Sequence, residues 1–178
     1  MKFLRMRKAL GLAFFVLTGI ACAECFYLYL KVWGPSIYNT YDENGTVASL
    51  GSQCIFCKII LQKTECVYED DDVFVFNDAY PKSHQHILIV PKRHIKSLYT
   101  LKAQDKNLLM KMKSIAIKIS EDYGMKDTKI GFHHPIFNSI QHLHLHVIGM
   151  PFYNKYKAAI IYNNFTFVDI DSSFNYTI

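Results

Sequence analysis

The feature that most constrains this chain lies near its end. In the run Ser139-Ile-Gln-His-Leu-His-Leu-His-Val-Ile-Gly-Met-Pro151, three of the eight histidines alternate with leucine. Alternation is the period of a β-strand, because successive side chains leave opposite faces of a sheet and residues two apart stand roughly 6.5–7 Å from one another. His142, His144 and His146 are therefore expected on one face of a strand over His142 to Ile148, with Leu143, Leu145 and Val147 turned into a core. Three imidazoles this close cannot all be charged, so some stay neutral at pH 7. A neutral imidazole is a nucleophile and a protonated neighbour donates to an anion, so the arrangement suits attack on a phosphate. One tetrahedral ion held by all three is disfavoured, since the outer two stand about 13 Å apart on a flat strand. A polar strand face that merely happens to use histidine fits less well, because the opposite face is purely apolar.

The surrounding pattern is α+β. The run Val-Phe-Val-Phe over 73–76, bracketed by Asp70-Asp71-Asp72 and Asn77-Asp78, reads as a strand between turns, and His86 to Pro91 as a second strand ended by proline. Leu108, Met112, Ile115 and Ile119, widened by Leu109 and Ala116, recur at helical spacing and predict a helix over Asp105 to Tyr123 packed on a sheet. Thr128 to Phe132 supplies a further strand. The chain contains no Gly-rich phosphate loop, and the tail after Pro151 mixes aromatic and Asn residues without a chemical signature.

The formal net charge of +5 is nearly accounted for by Lys2, Arg5, Arg7 and Lys8, so the remainder is close to balanced. A broad nucleic-acid-binding face is thereby disfavoured. Behind that basic flank, Ala9 to Leu30 is apolar apart from Glu24 and a few small polar residues, and Tyr27, Tyr29 and Trp33 suit a membrane interface. Residues 1–34 are read as a single-pass anchor, with a cleaved signal peptide ending near Ala21-Cys22-Ala23 as the alternative. A cytoplasmic domain with neither is the third. With an anchor, the basic flank stays cytosolic and the domain faces the lumen or exterior, where Asn44, Asn164 and Asn175 would be usable sequons. Residues 35–52 read as a linker, 53–152 as the folded domain and 153–178 as a C-terminal extension. Cys54, Cys57 and Cys66 form no disulfide framework, and Cys66 is expected to be a small buried apolar residue. The Cys54-x-x-Cys57 pair alone is ambiguous among metal, redox chemistry and a disulfide.

The His-Leu-His-Leu-His-Val run resembles the histidine-triad (HIT) signature. CIFCKI over 54–59, VFNDAYPKSHQHILIVPKRHI over 75–95 and GFHHPIF over 131–137 match further pieces in order and spacing. Within that superfamily the chain looks like the Hint branch of nucleoside phosphoramidases, with Ile136 standing where a second proline is usual. The resemblance implies an antiparallel sheet of about five strands with one long helix and a short N-terminal helix. It also implies a homodimer built from that helix and a sheet edge.

Its implied activity is release of AMP or another purine nucleotide from a phosphoramidate through a nucleotidyl-histidine. His144 is the implied nucleophile, assisted by His146, His86 and Ser139. The implied nucleotide-binding residues are Asp78, Phe76, Ala79, Asn138, Ser139 and His133, together with His144 and His146. His134 is a weaker candidate, and His84 reads as a surface residue. Cys54, Cys57, His94 and His142 would hold a structural Zn²⁺, with a Cys54–Cys57 disulfide as the alternative in an oxidising compartment. Two alternative functions stand beside this one. Removal of AMP from nucleic-acid ends, as in aprataxin-type members, is disfavoured because no Cys/His finger follows Pro151. A catalytically silent nucleotide-binding adaptor would bind nucleotide without turnover.

Overall fold

The computed structural model describes residues 54–177. The expected anchor over 1–34 and linker over 35–52 lie outside the described residues, and among the described residues no helix is long and apolar enough to cross a membrane.

A short helix α1 (Ile55–Gln62) opens the fold and ends at Lys63, whose left-handed backbone turns its N–H onto the Ile59 and Ile60 carbonyls. Three strands follow, β1 (Cys66–Glu69), β2 (Val73–Asn77) and β3 (Ser83–Pro91). The long helix α2 (Lys106–Asp122) leads to β4 (Thr128–His133) and β5 (Leu145–Phe152). Then come α3 (Lys155–Ile161), β6 (Phe167–Asp169) and α4 (Ile170–Ser173). The sheet is antiparallel with the order β1-β2-β3-β5-β4-β6.

The sheet has six strands rather than about five. The sixth comes from the C-terminal extension, where Phe167–Asp169 pairs with the β4 edge and places Asp169 opposite Gly131. No periodicity announced it, because a strand of three residues is too short to show one. That pairing covers the β4 edge and leaves β1 and β6 as the two ends of the sheet.

The two faces of the sheet do different work. Val73, Val75, Ile87, Ile89, Leu145 and Val147 form the core face and pack against Leu109, Met112, Ala116 and Ile119 of α2. Burying each such aliphatic side chain contributes on the order of 1.5–3 kcal/mol. The helical stripe is centred on Leu109 and Ala116, with Leu108 and Ile115 only partly buried, so the widening residues are its true middle. The opposite face carries two separate apolar clusters. α1 covers Phe74, Phe76, Leu88 and Val90 at one end, and α3 with β6 covers Ile148 at the other. His86 and His146 lie on this second face between the clusters, as register requires, since His146 stands opposite Leu88 and His86 opposite Ile148.

Two smaller expectations are corrected. Strand β5 begins at Leu145, not His142, because the Leu143 N–H bonds to the Ile95 carbonyl beyond the end of β3 instead of joining the ladder. Cys66 is exposed rather than buried, at the irregular start of β1 where the register shifts.

α2 ends in a left-handed residue, Gly124 at φ 62°, whose N–H reaches the Glu121 carbonyl while Met125 N–H reaches Ser120. A Cβ at Gly124 would meet nothing within 4 Å, so Gly124→Ala isolates the backbone cost of that conformation. Its free energy of unfolding is expected to fall by about 1–2 kcal/mol. Urea unfolding at unchanged slope checks this, and an unshifted midpoint would contradict it.

Candidate functional site

His142 lies on the loop that follows the 3₁₀ turn Pro135–Phe137 and precedes β5. Its ring is fully buried, with Nε2–H donating to the Pro91 carbonyl at 2.9 Å. That bond places the remaining lone pair on Nδ1, which faces Cys54 Sγ at 3.4 Å and Cys57 Sγ at 3.5 Å. His94 Nδ1 lies 3.3 Å from Cys57 Sγ. Cys54, Cys57, His94 and His142 thus form one cluster whose ligand atoms all lie within 4.8 Å of one another. Both cysteines are free thiols. The pair parts with one proton readily: Cys54 is held well below the ordinary thiol range by its hydrogen bond with Cys57, with His142 and His94 assisting against burial. Cys57 is correspondingly pushed up by Cys54 and by burial. A carbonyl that fixes the tautomer of a ligand histidine is the usual outer support of a metal site. The four residues could therefore hold a metal ion.

The backbone of the same His142 organises its neighbour. His144 Nδ1–H donates to the His142 carbonyl at 2.6 Å, which leaves the lone pair on Nε2. Burial pulls the His144 pKa down to about 4, so the ring is neutral at pH 7. Phe56, set between the two cysteines on α1, packs edge-on against this ring at 5.1 Å and against Phe76 at 5.4 Å. The sequence offered no reason to single out Phe56, because its place on a helix between two cysteines reads as ordinary core.

A second relay fixes His146. The Lys82 N–H donates to His86 Nδ1 at 3.2 Å, and burial brings the His86 pKa down to about 4 against the pull of Asp78. Neutral His86 therefore carries its hydrogen on Nε2, 2.9 Å from His146 Nδ1 and 3.3 Å from Asp78 Oδ2. With Nδ1 accepting from His86, the hydrogen of the His146 ring lies on Nε2. The rings of His144 and His146 are 4.8 Å apart. A lone pair on one and a donor on the next is what an electrophilic phosphorus with an anionic oxygen requires.

Asp78 also caps its own turn, with Oδ1 accepting the Tyr80 N–H at 2.8 Å. Phe76 is buried on β2, and Ala79 is exposed on the turn after it. Asn138 is half-buried and Ser139 exposed on the loop before His142, and no hydrogen bond joins either to a triad ring among the described residues. The Asn138 Oδ1 is buried without a hydrogen-bond partner among the described residues. His133 stacks edge-on to His146 at 4.8 Å. His134 turns away to accept a hydrogen bond from, or donate one to, the Tyr99 hydroxyl at 2.9 Å. His84 is on the surface beside Tyr153. The extension brings in two residues with no prior signal: Tyr162 and Phe167 pack against His133 at 5.1 and 5.4 Å.

Comparison with known proteins points one way. Residues 53–161 match the family model described as "Scavenger mRNA decapping enzyme C-term binding". An adenosine 5'-monophosphoramidase HINT3 of Danio rerio is 38% identical over 128 residues, covering 68% of this chain and 76% of that protein. A bifunctional adenosine 5'-phosphosulfate phosphorylase/adenylylsulfatase HINT4 of Arabidopsis thaliana is 33% identical over 117 residues, covering 63% and 80%. Among solved structures, a HIT family hydrolase from Legionella pneumophila Philadelphia 1 superposes with a TM-score of 0.52 at 29% identity, covering 55% of this chain and 93% of that one.

The buried neutral His86 carries a pH signature. Its pKa is about 4 when folded and 6.5 when unfolded, so the unfolded chain binds more protons between those values. The stability tied to this residue is complete above pH 6.5 and is lost as pH falls toward 4. His86→Gln is expected to show a shallower decline of unfolding free energy across that window than wild type. Equal slopes in chemical denaturation would contradict a buried, neutral His86.

Proposed function

The chain belongs to the histidine-triad superfamily, and from that premise we propose that it is a hydrolase that releases AMP, or another purine nucleotide, from nucleoside phosphoramidates. The observation that carries the reading is the 2.6 Å hydrogen bond from His144 Nδ1 to the His142 carbonyl, which leaves a neutral Nε2 with its lone pair for attack. His144 Nε2 attacks the α-phosphorus. The P–N bond to the leaving amine breaks, the nitrogen takes up a proton from solvent as it departs, and a nucleotidyl-histidine remains. Water then cleaves the new P–N bond, which frees the nucleoside monophosphate and restores the imidazole. Splitting one displacement into two easier ones is the gain of covalent catalysis.

His146 donates from Nε2 to a phosphoryl oxygen, and His86 acts through it, holding its tautomer. Ser139 and Asn138 supply further loop donors to the phosphate, and His133 lines its far side. Asp78 retains lone pairs on both oxygens for the ribose hydroxyls, while Phe76 and Ala79 flank the base. The names of the two relatives support an adenosine-linked substrate.

Cys54, Cys57, His94 and His142 fit Zn²⁺: two thiols and two imidazoles with the donor atoms converging, and no position left for substrate. A zinc bound there would be structural, tying α1 to the segment that precedes the nucleophile. The apolar run of residues 9–30 supports a membrane tether. Met110 and Ile117, exposed on the outer face of α2, support a homodimer through that helix.

Incubation with an adenosine phosphoramidate is expected to give AMP, with His144→Asn slower by at least about 10³-fold. Nucleotide binding without AMP release above the His144→Asn control would replace this reading with a silent adaptor. Purified protein is expected to contain stoichiometric zinc, and Cys57→Ser to lose it and melt at lower temperature. A zinc-free protein that melts as high as the zinc-loaded one would remove the metal from the account.

A further inference from the structure

We propose that the C-terminal segment from Asn154 to Asp169 is a wall of the active site, in which Phe167 and Tyr162 are positioning residues that hold His133 and His146 in place. The inference deepens the phosphoramidase reading and rests on it for its kinetic consequence, though not for its geometry.

The argument starts at Gly131. In the sheet, Gly131 of β4 stands directly opposite His146 of β5 and directly opposite Asp169 of β6. A Cβ there would come within 2.3 Å of the Val168 carbonyl oxygen and 2.5 Å of the Phe167 ring. Neither approach is possible for a real side chain, so the Phe167 ring occupies the space that any other residue at 131 would fill. That space adjoins His146, its cross-strand neighbour. The ring centroid of Phe167 lies 6.2 Å from His146 and 5.4 Å from His133.

Tyr162 completes the wall. Its ring lies 5.1 Å from His133, 6.3 Å from His146 and 5.3 Å from Phe167. The backbone adds a tether, since the Thr166 carbonyl accepts the His134 N–H at 2.9 Å and faces His133 Nδ1 at 3.4 Å. Lys129 Nζ lies 5.2 Å from the Phe167 ring centroid. His146 is thus enclosed by His86 on one side, His144 at its end, and an aromatic block from the extension on the third. The block is a cluster of its own, Ile148, Ala158, Tyr162 and Phe167, separate from the main core under α2. Its loss would loosen the histidines without emptying that core.

The groups proposed to hold the ribose and base, Phe76, Asp78 and Ala79, belong to β2 and the turn after it, which no strand pairing joins to β6. Loosening His146 should therefore reduce turnover more than substrate binding. In the full chain, Phe167→Ala is expected to lower kcat on an adenosine phosphoramidate by about 10- to 100-fold with KM within about twofold. Gly131→Ala, which pushes β6 off β4, should do the same, and Phe167→Met, which restores apolar volume, should recover most of the loss. An independent readout is histidine ring ¹H–¹⁵N NMR. Phe167→Ala should move the His133 and His146 signals and leave those of His94 in place.

A folded Phe167→Ala with wild-type kcat and unmoved ring signals overturns the proposal. So does a loss of activity that merely tracks the unfolded fraction. If wild type shows no turnover while the ring signals still move, the phosphoramidase reading fails and the positioning stands. Should Phe167→Ala not fold, nuclear Overhauser contacts between the Phe167 ring and His146 in wild type decide the geometry, and Phe167→Leu decides the kinetics. Absent contacts overturn the proposal as well.

Discussion

The rest of the site depends on how His142 is held. Its Nε2–H is bound to the Pro91 carbonyl at the end of β3, its Nδ1 faces two thiols, and its own carbonyl receives the Nδ1–H of His144. One residue therefore joins the Cys/His cluster, the sheet and the candidate nucleophile. Each bond decides the next. The carbonyl of Pro91 selects the His142 tautomer, that tautomer frees Nδ1 for the thiols, and the fixed backbone selects the tautomer of His144. A parallel chain of choices runs from the Lys82 N–H through His86 to His146. Both chains start from main-chain groups, whose positions the sheet determines, so hydrogen placement on the triad is a property of the fold.

Burial acts with those bonds. His142, His144, His146 and His86 are all nearly inaccessible to water, in a region flanked by the α1 cluster and the extension's aromatic cluster. Low dielectric disfavours the imidazolium, which keeps His86 and His144 neutral well below physiological pH. The cost of placing four polar rings in an apolar layer is offset by hydrogen bonds made by each of them. This explains why the second face of the sheet is covered by separate clusters while the first has one continuous core. A continuous apolar cover on the second face would leave no room for the rings.

Much of the central domain was legible. VFVF, the helical stripe of α2 and the alternation of Leu145 and Val147 each state a period, and period is what a single sequence displays directly. The cysteine pair and the histidines were named as residue types, and their convergence from α1, the β3 exit and the loop before β5 followed only from the family resemblance. The misses share a cause. β6 has three residues, Phe167 and Tyr162 sit in a tail without periodicity, and Phe56 looks like any core aromatic. Cys66 is exposed although its residue type favours burial, at the register shift that opens β1.

What the sequence by itself determined is therefore the inventory and the faces: three histidines at period two, leucines pointing the other way, and a helix with one apolar side. Tertiary structure alone decided which nitrogen of each histidine bears hydrogen, because that depends on carbonyls of Pro91 and His142 and an amide of Lys82 brought together by chain turns. It also decided that the tail belongs to the site. Gly131 is silent in the sequence, for a missing side chain has no meaning until another strand is laid against it, and here the Phe167 ring lies in the space it leaves.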